Sequence, residues 1–170
     1  MYLDFKELLS LFNGHKVKYL VVGGYAVSFH AQPRATKDLD ILIKADAANA
    51  AAVYAALAKF GAPLEELKPE DFIEPGKFYR IGRPPLMIDI LPEISGVDFD
   101  TAWEKRVEAE IGPGQKVLLI DVDSLIASKL SSGRPEDLAD VAALQQAARS
   151  LAAPENKFPK TKKAKKTPKS

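Results

Sequence analysis

The 170-residue chain contains no cysteine and only two histidines, His15 and His30. Disulfide bonds and thiolate zinc sites are therefore excluded. Two histidines also provide few ligands for a zinc site built from protein side chains alone. Without cysteine, a cytoplasmic location is the natural expectation. The chain also lacks long apolar runs, so we expect no transmembrane helix and no membrane partner. Its N-terminal residues include early acids and lack a basic start before an apolar block, which argues against a signal peptide.

The formal net charge of +1 conceals an uneven distribution. Residues 157–170 contain seven lysines and no acid, so the rest of the chain keeps 17 of the 24 basic residues and all 23 acids. We predict one domain at residues 1–153 and a disordered lysine-rich tail at residues 154–170, because the tail has no core pattern. The tail mildly favours a nucleic-acid partner, and a solubilising tail is an equally good interpretation.

Hydrophobic periodicity and turn residues predict alternating helices and strands. Helices are expected at about residues 5–12, 25–31, 47–60, 98–106, 123–132 and 135–151, and strands at 19–22, 38–43, 77–81, 86–91 and 117–120. Asp4 and Asp46 are positioned to cap the first and third helices.

Residues 19–43 contain the densest group of candidate functional residues. A predicted strand leads through Gly23 and Gly24 into a short helix, and a basic loop then leads to a strand that begins with Asp38 and Asp40. Because side chains two positions apart leave a strand from the same face, these carboxylates are expected side by side. Two carboxylates near a glycine-led helix start indicate a metal-assisted phosphate site.

Asp89 is the candidate for a third carboxylate. All its neighbours in residues 86–91 are apolar, and a carboxylate in such a strand is costly unless it is paired or bound to metal. Chemistry on a nucleoside triphosphate needs divalent metal, magnesium prefers hard oxygen ligands, and a two-metal site needs two bridging carboxylates with a third nearby. If the strand of Asp89 adjoins the strand at 38–43, its carboxylate would lie beside Asp38 and Asp40.

The Asp-x-Asp pattern alone is weak evidence, because it occurs three times. The pairs at 98–100 and 121–123 precede predicted helices, where helix capping explains them. The pair at 38–40 opens an apolar strand, where capping does not apply. Its alternative interpretation is a solvated strand end paired with Lys37 or Arg34. The third carboxylate favours the metal-site interpretation.

Several glycines and arginines are candidates for phosphate binding. Gly23 and Gly24 allow a ligand to approach the backbone at a helix start, although an ordinary tight turn also explains them. Arg34 lies in the loop just before the aspartates, well placed for phosphate. Arg80 and Arg83 flank a predicted hairpin turn and are interpreted as solvated.

Lys129 interrupts an apolar helical stripe formed by positions 122, 125 and 126. The side chain either extends outward to solvent or faces an internal anion such as a triphosphate. For Arg134, Asp137 and Asp140 we favour a structural role, in which ion pairs tie the two C-terminal helices together.

Two parts of the chain resemble a known family. GGYA at 23–26 and PRATKDLDI at 33–41 resemble the minimal nucleotidyltransferases of the DNA polymerase beta superfamily, in particular their uncharacterised and abortive-infection toxin-like branch. SLIASKL at 124–130, with GRPEDLAD at 133–140, resembles the C-terminal helical motif of that branch. The resemblance implies an α+β (α/β) fold with a mixed β-sheet, flanking helices and a C-terminal helical pair.

The resemblance also implies roles for individual residues. Asp38 and Asp40 would bind two Mg²⁺ ions, and Asp89 would ligate metal or accept the proton of the acceptor hydroxyl. Gly23, Gly24 and Lys129 would hold the triphosphate. The wider superfamily usually has Gly-Ser where this chain has Gly23-Gly24, so one hydroxyl contact to phosphate is missing.

Two classes of function remain at this point. The first is an enzyme that moves a nucleoside monophosphate from a nucleoside triphosphate to a hydroxyl of RNA (a tRNA end, for example), a protein or a small molecule such as an aminoglycoside. The second is a non-catalytic module that binds a nucleotide or a partner, for instance the antitoxin of a toxin–antitoxin pair. A third possibility is nucleic-acid binding through the lysine-rich tail alone.

Overall fold

Six strands form one mixed β-sheet in a computed structural model that describes residues 1–152. The strands are β1 (Tyr19–Val22), β2 (Leu39–Ile43), β3 (Tyr79–Arg83), β4 (Leu86–Leu91), β5 (Val107–Gly112) and β6 (Gln115–Leu119), and their order across the sheet is β3-β4-β2-β1-β6-β5. Strand β1 is antiparallel to β2 and parallel to β6, while β2 is parallel to β4. The predicted mixed sheet is therefore confirmed. The predicted disordered tail at 154–170 lies outside the described residues.

Helices flank this sheet, as predicted. They are α1 (Leu3–Gly14), α2 (Gly23–His30), α3 (Ala47–Phe60), α4 (Phe99–Glu104), α5 (Val122–Ser132) and α6 (Pro135–Ala152), with a short 3₁₀ turn at Pro69–Ile73. Helices α5 and α6 pack against each other as the expected C-terminal pair, and both contact α2. Among residues 1–152, no helix combines the length and the apolar character needed to cross a membrane.

The two central strands carry the core. All residues of β1 are buried, and β2 is buried at every position except Asp40. Strands covered on both faces read as continuous apolar runs, which explains why both were recognisable in the sequence. Asp40 is thus the one polar interruption in the two central strands of the sheet.

Aspartates cap three of the helices, as the sequence indicated for each. The side chains of Asp46, Asp98 and Asp121 accept hydrogen bonds from the backbone N–H three residues later, at 2.7, 2.9 and 3.0 Å. The capping interpretation of the pairs at 98–100 and 121–123 is confirmed, which leaves the pair at 38–40 as the Asp-x-Asp pattern without a cap function.

Some predicted boundaries are wrong. Asp4 is not a cap, because α1 already begins at Leu3 and its N-terminus has no side-chain cap. Helix α2 begins at Gly23 instead of Tyr25, so the glycine pair forms its first turn. Strand β5 was missed altogether. Its alternation of apolar residues with glutamates was visible, but the segment is a half-exposed edge strand with a weak apolar pattern.

Candidate active site

A row of charged side chains crosses the sheet at the end of β1. Asp40 on β2 lies opposite Asp89 on β4, and Asp89 lies opposite Arg80 on β3. At the other edge of β2, Asp40 is paired with Val22, the last residue of β1. Residues paired across neighbouring strands point to the same face, so the sheet brings the two carboxylates and the guanidinium together. The expected adjacency of the Asp89 strand and the Asp40 strand is confirmed.

All seven predicted site residues line one cavity of about 550 Å³. They are Gly23, Gly24, Arg34, Asp38, Asp40, Asp89 and Lys129. We call this space the site cavity. It lies between the charged row of the sheet, the first turn of α2 and the facing sides of α5 and α6. Predicted site residues separated by up to 106 positions in the sequence, from Gly23 to Lys129, therefore contribute to the same cavity.

Arg80 forms a bidentate ion pair with Asp89. Its Nε and Nη2 atoms donate to the two carboxylate oxygens of Asp89, each at 2.7 Å. Asp89 is only 7% exposed, whereas the side chain of Arg80 is 48% exposed to solvent. Such paired geometry strengthens the hydrogen bonds and offsets the cost of burying the carboxylate. The interpretation of Arg80 as a merely solvated residue is wrong.

Asp40 has no such partner. Neither it nor Asp38 forms an ion pair within residues 1–152. Burial, followed by repulsion from the carboxylates of Asp89 and Asp38, raises the pKa of Asp40 to about 6, although the positive charges of Lys129 and Arg80 act in the opposite direction. The site therefore holds a carboxylate whose ionised form is poorly compensated by the other side chains of residues 1–152.

The glycine pair leaves room for neighbouring side chains. Gly23 has a φ angle of +64°, and a Cβ atom on it would collide with the Asp40 carboxylate. A Cβ atom on Gly24 would lie 2.8 Å from Cγ2 of Thr36 and 3.3 Å from Nη2 of Arg34. The absence of a serine at position 24 therefore has a steric explanation, since the loop after α2 occupies that space.

Lys129 lies at the centre of a buried charge cluster. Its ammonium group is 2.9 Å from Asp137 and 3.0 Å from Asp140, and the side chain is only 12% exposed. Arg34 contacts Asp140 at 2.6 Å, and Arg134 contacts Asp137 at 2.7 Å. The two C-terminal helices are tied by ion pairs to Asp137 and Asp140 as expected, but the linking cation is Lys129 and not Arg134, which lies just before α6 and pairs with Asp137 three positions away. The alternative in which the side chain of Lys129 extends outward to solvent is wrong, because its ammonium group contacts these two carboxylates.

Asp137 is held in its ionised form by this cluster. Burial acts to raise its pKa, but hydrogen bonds from Arg134, Ser132 and Lys129 outweigh burial and hold the pKa well below its usual range. The same carboxylate keeps the Lys129 ammonium group oriented at the wall of the site cavity. Asp140 performs the matching function for Arg34, so one cluster fixes two cations beside the glycine pair.

The donor set of the site cavity suits a magnesium ion. Magnesium is usually held by one or two carboxylates together with water and substrate phosphates. Both oxygens of Asp89 are engaged by Arg80, so Asp38 and Asp40 are the two of the three predicted acids that are left for this purpose. In the part of the chain that the structure describes, no three metal-ligating side chains are grouped closely enough to enclose an ion. Residues 1–152 thus supply an incomplete ligand set.

Two features of the site went beyond the sequence prediction. Arg80 lies directly opposite the buried Asp89 across the β3–β4 hairpin. This pairing of a basic residue with a buried carboxylate was the signal that could have identified Arg80 as a site residue. Phe78 also lines the site cavity and is 59% exposed, which is unusual for a phenylalanine. Its position just before β3 carried no pattern that the sequence alone could have revealed.

Comparison with known proteins yields one family match. A model of the family described as "Nucleotidyltransferase of unknown function (DUF6036)" matches residues 3–149. No curated protein sequence matches the chain significantly.

Solved structures share the fold at low sequence identity. The antibiotic-resistance factor ANT(2'')-Ia has a TM-score of 0.57 at 15% identity, over 87% of this chain and 82% of that one. The lincosamide antibiotic adenylyltransferase LnuA, bound to lincomycin, has 0.56 at 18%, over 86% and 98%. An antigenic nucleotidyltransferase-like protein from Paracoccidioides brasiliensis has 0.54 at 20%, over 86% and 84%.

At these identities the likeness concerns the fold alone, and it agrees with the mixed sheet and its flanking helices. The family match covers far more than half of the chain. The chain therefore belongs to this family of nucleotidyltransferases of unknown function.

Proposed function

We propose that the protein transfers a nucleoside monophosphate from a nucleoside triphosphate to a hydroxyl group of an acceptor and releases pyrophosphate. The observation that carries this proposal is the pairing of Asp40 with Asp89 across β2 and β4, in a cavity that also receives Asp38 and Lys129. Carboxylates and fixed cations facing one cavity are suited to phosphoryl chemistry, which depends on positioning and charge neutralisation. The proposal assigns residues 1–153 to one catalytic domain working in the cytoplasm.

We assign roles to the residues of the site cavity as follows. Asp38 and Asp40 hold Mg²⁺, which neutralises phosphate charge when it is bound. The backbone of Gly23 and Gly24 lies at the N-terminus of α2, where N–H groups and the helix dipole favour an anion. Lys129 and Arg34, each anchored by Asp140, face the outer phosphates from the other wall.

The transfer step is a direct displacement. The acceptor oxygen forms a bond to the α-phosphorus, the bond from that phosphorus to the bridging oxygen breaks, and pyrophosphate leaves with the electron pair. The hydroxyl proton passes to Asp89, whose carboxylate is oriented by Arg80. The incoming hydroxyl must therefore approach from the β3–β4 side, opposite the glycine pair.

The proposed acceptor is the hydroxyl of an RNA, such as a tRNA end, or of a protein. Small-molecule acceptors belong in the same test, because the structures that share this fold include an antibiotic-resistance factor and a lincosamide antibiotic adenylyltransferase. A role in a toxin–antitoxin pair, with an antitoxin partner, is part of the proposal through the family resemblance. A membrane is not among the proposed partners.

Incubation with each α-labelled nucleoside triphosphate, magnesium, and total RNA or protein tests the proposal. The wild type should transfer label to one acceptor class, and Asp38→Ala/Asp40→Ala should lose the transfer. Glu7→Gln, an exposed acid on α1, is the matched control and should keep it. If the wild type and the double variant are equally inactive while nucleotide still binds, the alternative of a non-catalytic nucleotide- or partner-binding module holds instead.

A further inference from the structure

Phe78 lies where three cavities meet. It lines the site cavity, a second cavity of about 410 Å³ that also contains Pro92 and Ile94, and a third of about 250 Å³ that also contains Leu67. The exposed aromatic ring therefore joins the proposed reaction centre to a continuous surface on the β3 side. This is the side from which an acceptor hydroxyl must reach Asp89.

Acidic side chains surround the two outer cavities. Glu93 lines the second cavity, and Glu66, Asp71 and Glu74 line the third. All four are exposed, and we call them the acidic rim. The cation among the lining residues of these two cavities is Lys77, which is already paired with Glu74 at 2.8 Å. The two outer cavities therefore carry an excess of negative charge, which disfavours the phosphates of a nucleic acid and favours a basic partner.

The chain itself contains a segment with the complementary chemistry. Residues 157–170 carry seven lysines, no acid and one aromatic residue, Phe158. The same segment contains three hydroxyl groups, on Thr161, Thr167 and Ser170. Lysines complement the acidic rim, Phe158 complements Phe78 and the adjoining apolar surface, and the hydroxyls are groups of the class that the proposed reaction modifies.

The segment is also long enough to reach the rim. Helix α6 begins beside the site cavity, which its residues Glu136 and Asp137 line, and it ends at Ala152. Its 18 residues correspond to a length of about 27 Å. The 18 residues that follow Ala152 can span at most about 60 Å, so their hydroxyls can return to the cavity within the same molecule.

We propose that the acidic rim receives residues 157–170 and that the protein nucleotidylates one of the hydroxyls in this segment. The inference rests on the proposed function and names its acceptor as a lysine-rich peptide. The threonine or serine oxygen forms the new bond to the α-phosphorus, its proton passes to Asp89, and pyrophosphate leaves. The added group introduces a negative charge into the lysine-rich segment, which weakens its hold on the rim.

Disulfide trapping tests the docking step without requiring catalysis. The natural chain has no cysteine, so an introduced pair reports one contact. Ala164→Cys is combined in the full-length protein with Ser95→Cys, which lies in the second cavity. The control combines it with Ser10→Cys, which lies on α1 near the opposite end of β1. At low salt the disulfide between positions 164 and 95 should form roughly tenfold faster than the one between positions 164 and 10, because docking raises the effective concentration of the first pair of thiols. The difference should vanish in 1 M salt, where the Debye length is about 3 Å. Equal rates at both positions overturn the docking.

Labelling tests the transfer step. Full-length protein is incubated with each α-labelled nucleoside triphosphate and magnesium, and the labelled peptide is located by mass spectrometry. Label is expected on a hydroxyl of residues 157–170, and Glu66→Lys/Glu74→Lys should reduce it at least several-fold. Glu104→Lys/Glu110→Lys, which changes the charge equally at exposed positions away from the rim, should not.

The two proposals fail in different ways. If label enters RNA, another protein or a small molecule but never this segment, self-modification is overturned and the proposed function stands. If no acceptor is labelled and no pyrophosphate is released, both are overturned, whatever the trapping experiment gives.

Discussion

Asp40 and Asp89 lie opposite each other on the parallel strands β2 and β4, yet within residues 1–152 only Asp89 forms an ion pair. Arg80 donates to both oxygens of Asp89, while Asp40 has no ion pair within residues 1–152. Repulsion from Asp89 adds to the effect of burial in raising the pKa of Asp40. The folded protein therefore carries a cost at Asp40 that a bound cation would remove.

The first prediction concerns stability and pH. Because the pKa of Asp40 rises to about 6 on folding, the folded protein binds more protons at this carboxyl than the unfolded chain between about pH 4 and pH 6. The free energy of unfolding should fall as the pH rises through this window, by at most about 3 kcal/mol. Asp40→Asn should remove this slope and be about 1–3 kcal/mol more stable than the wild type at pH 8.

Urea unfolding at pH 4 and pH 8 in the presence of a chelator measures this difference. Glu7→Gln is the surface control and should match the wild type at both pH values. Added magnesium should raise the melting temperature of the wild type and leave that of Asp40→Asn unchanged. A destabilised Asp40→Asn at pH 8 would contradict the prediction.

The second prediction concerns Arg80. Removing the guanidinium in Arg80→Met leaves Asp89 without its partner and increases the negative charge of the site cavity. Magnesium should then bind more tightly, because a competing positive charge has gone and a third carboxylate is free to ligate. Transfer activity should nevertheless fall, since Asp89 loses its orientation.

Isothermal titration with magnesium and a transfer assay on the same samples separate these two effects. Arg83→Met, at the exposed end of the same hairpin, should change neither. A weaker magnesium affinity in Arg80→Met would indicate that Arg80 organises the metal ligands and does not compete with the ion.

The third prediction concerns the buried cluster around Lys129. Lys129→Met removes the cation shared by Asp137 and Asp140 and leaves both carboxylates buried with fewer partners. Breaking a buried ion pair on one side typically costs about 3–5 kcal/mol, so a large loss of stability is expected. Lys59→Met, an exposed lysine on α3, should stay within about 0.5 kcal/mol of the wild type.

Denaturant unfolding of the two variants tests this prediction directly. The double change Lys129→Met/Asp137→Asn should recover part of the loss, because it removes one of the uncompensated charges. Additive losses in the double variant would mean that the two residues do not act as a pair.

The fourth prediction concerns the missing serine. Gly24→Ser should destabilise the protein by about 1–3 kcal/mol, because its Cβ atom would overlap with Cγ2 of Thr36. Thr36→Ser removes that methyl group, so Gly24→Ser/Thr36→Ser should regain a substantial part of the stability.

Thermal unfolding and nucleotide binding are measured together for this series. Gly14→Ala is the control, because a Cβ atom there has no neighbour within 4 Å and the residue lacks a positive φ angle. If Gly24→Ser alone is as stable as the wild type, the loop after α2 yields easily and the steric explanation is wrong.

Much of the site was already visible in the amino-acid sequence. Asp89 stood out because it interrupts an apolar strand, and Lys129 because it interrupts an apolar helical stripe. In the structure Asp89 is buried and Lys129 is largely covered, since burial imposes a periodic apolar pattern that a charge visibly breaks. The caps at Asp98 and Asp121 were readable for a different reason, because capping depends only on residues three positions apart.

The partners of these charges were decided by the tertiary structure alone. The pairing of Asp40 with Asp89 brings together residues 49 positions apart on neighbouring strands, and the contact of Arg34 with Asp140 spans 106 positions. Local patterns carry no information about such distances, because the register between strands is set by packing of the whole sheet. The apolar patterns marked Asp89 and Lys129 as charges out of place, whereas the packing of the sheet sets Arg80 against Asp89 and leaves Asp40 without an ion pair within residues 1–152.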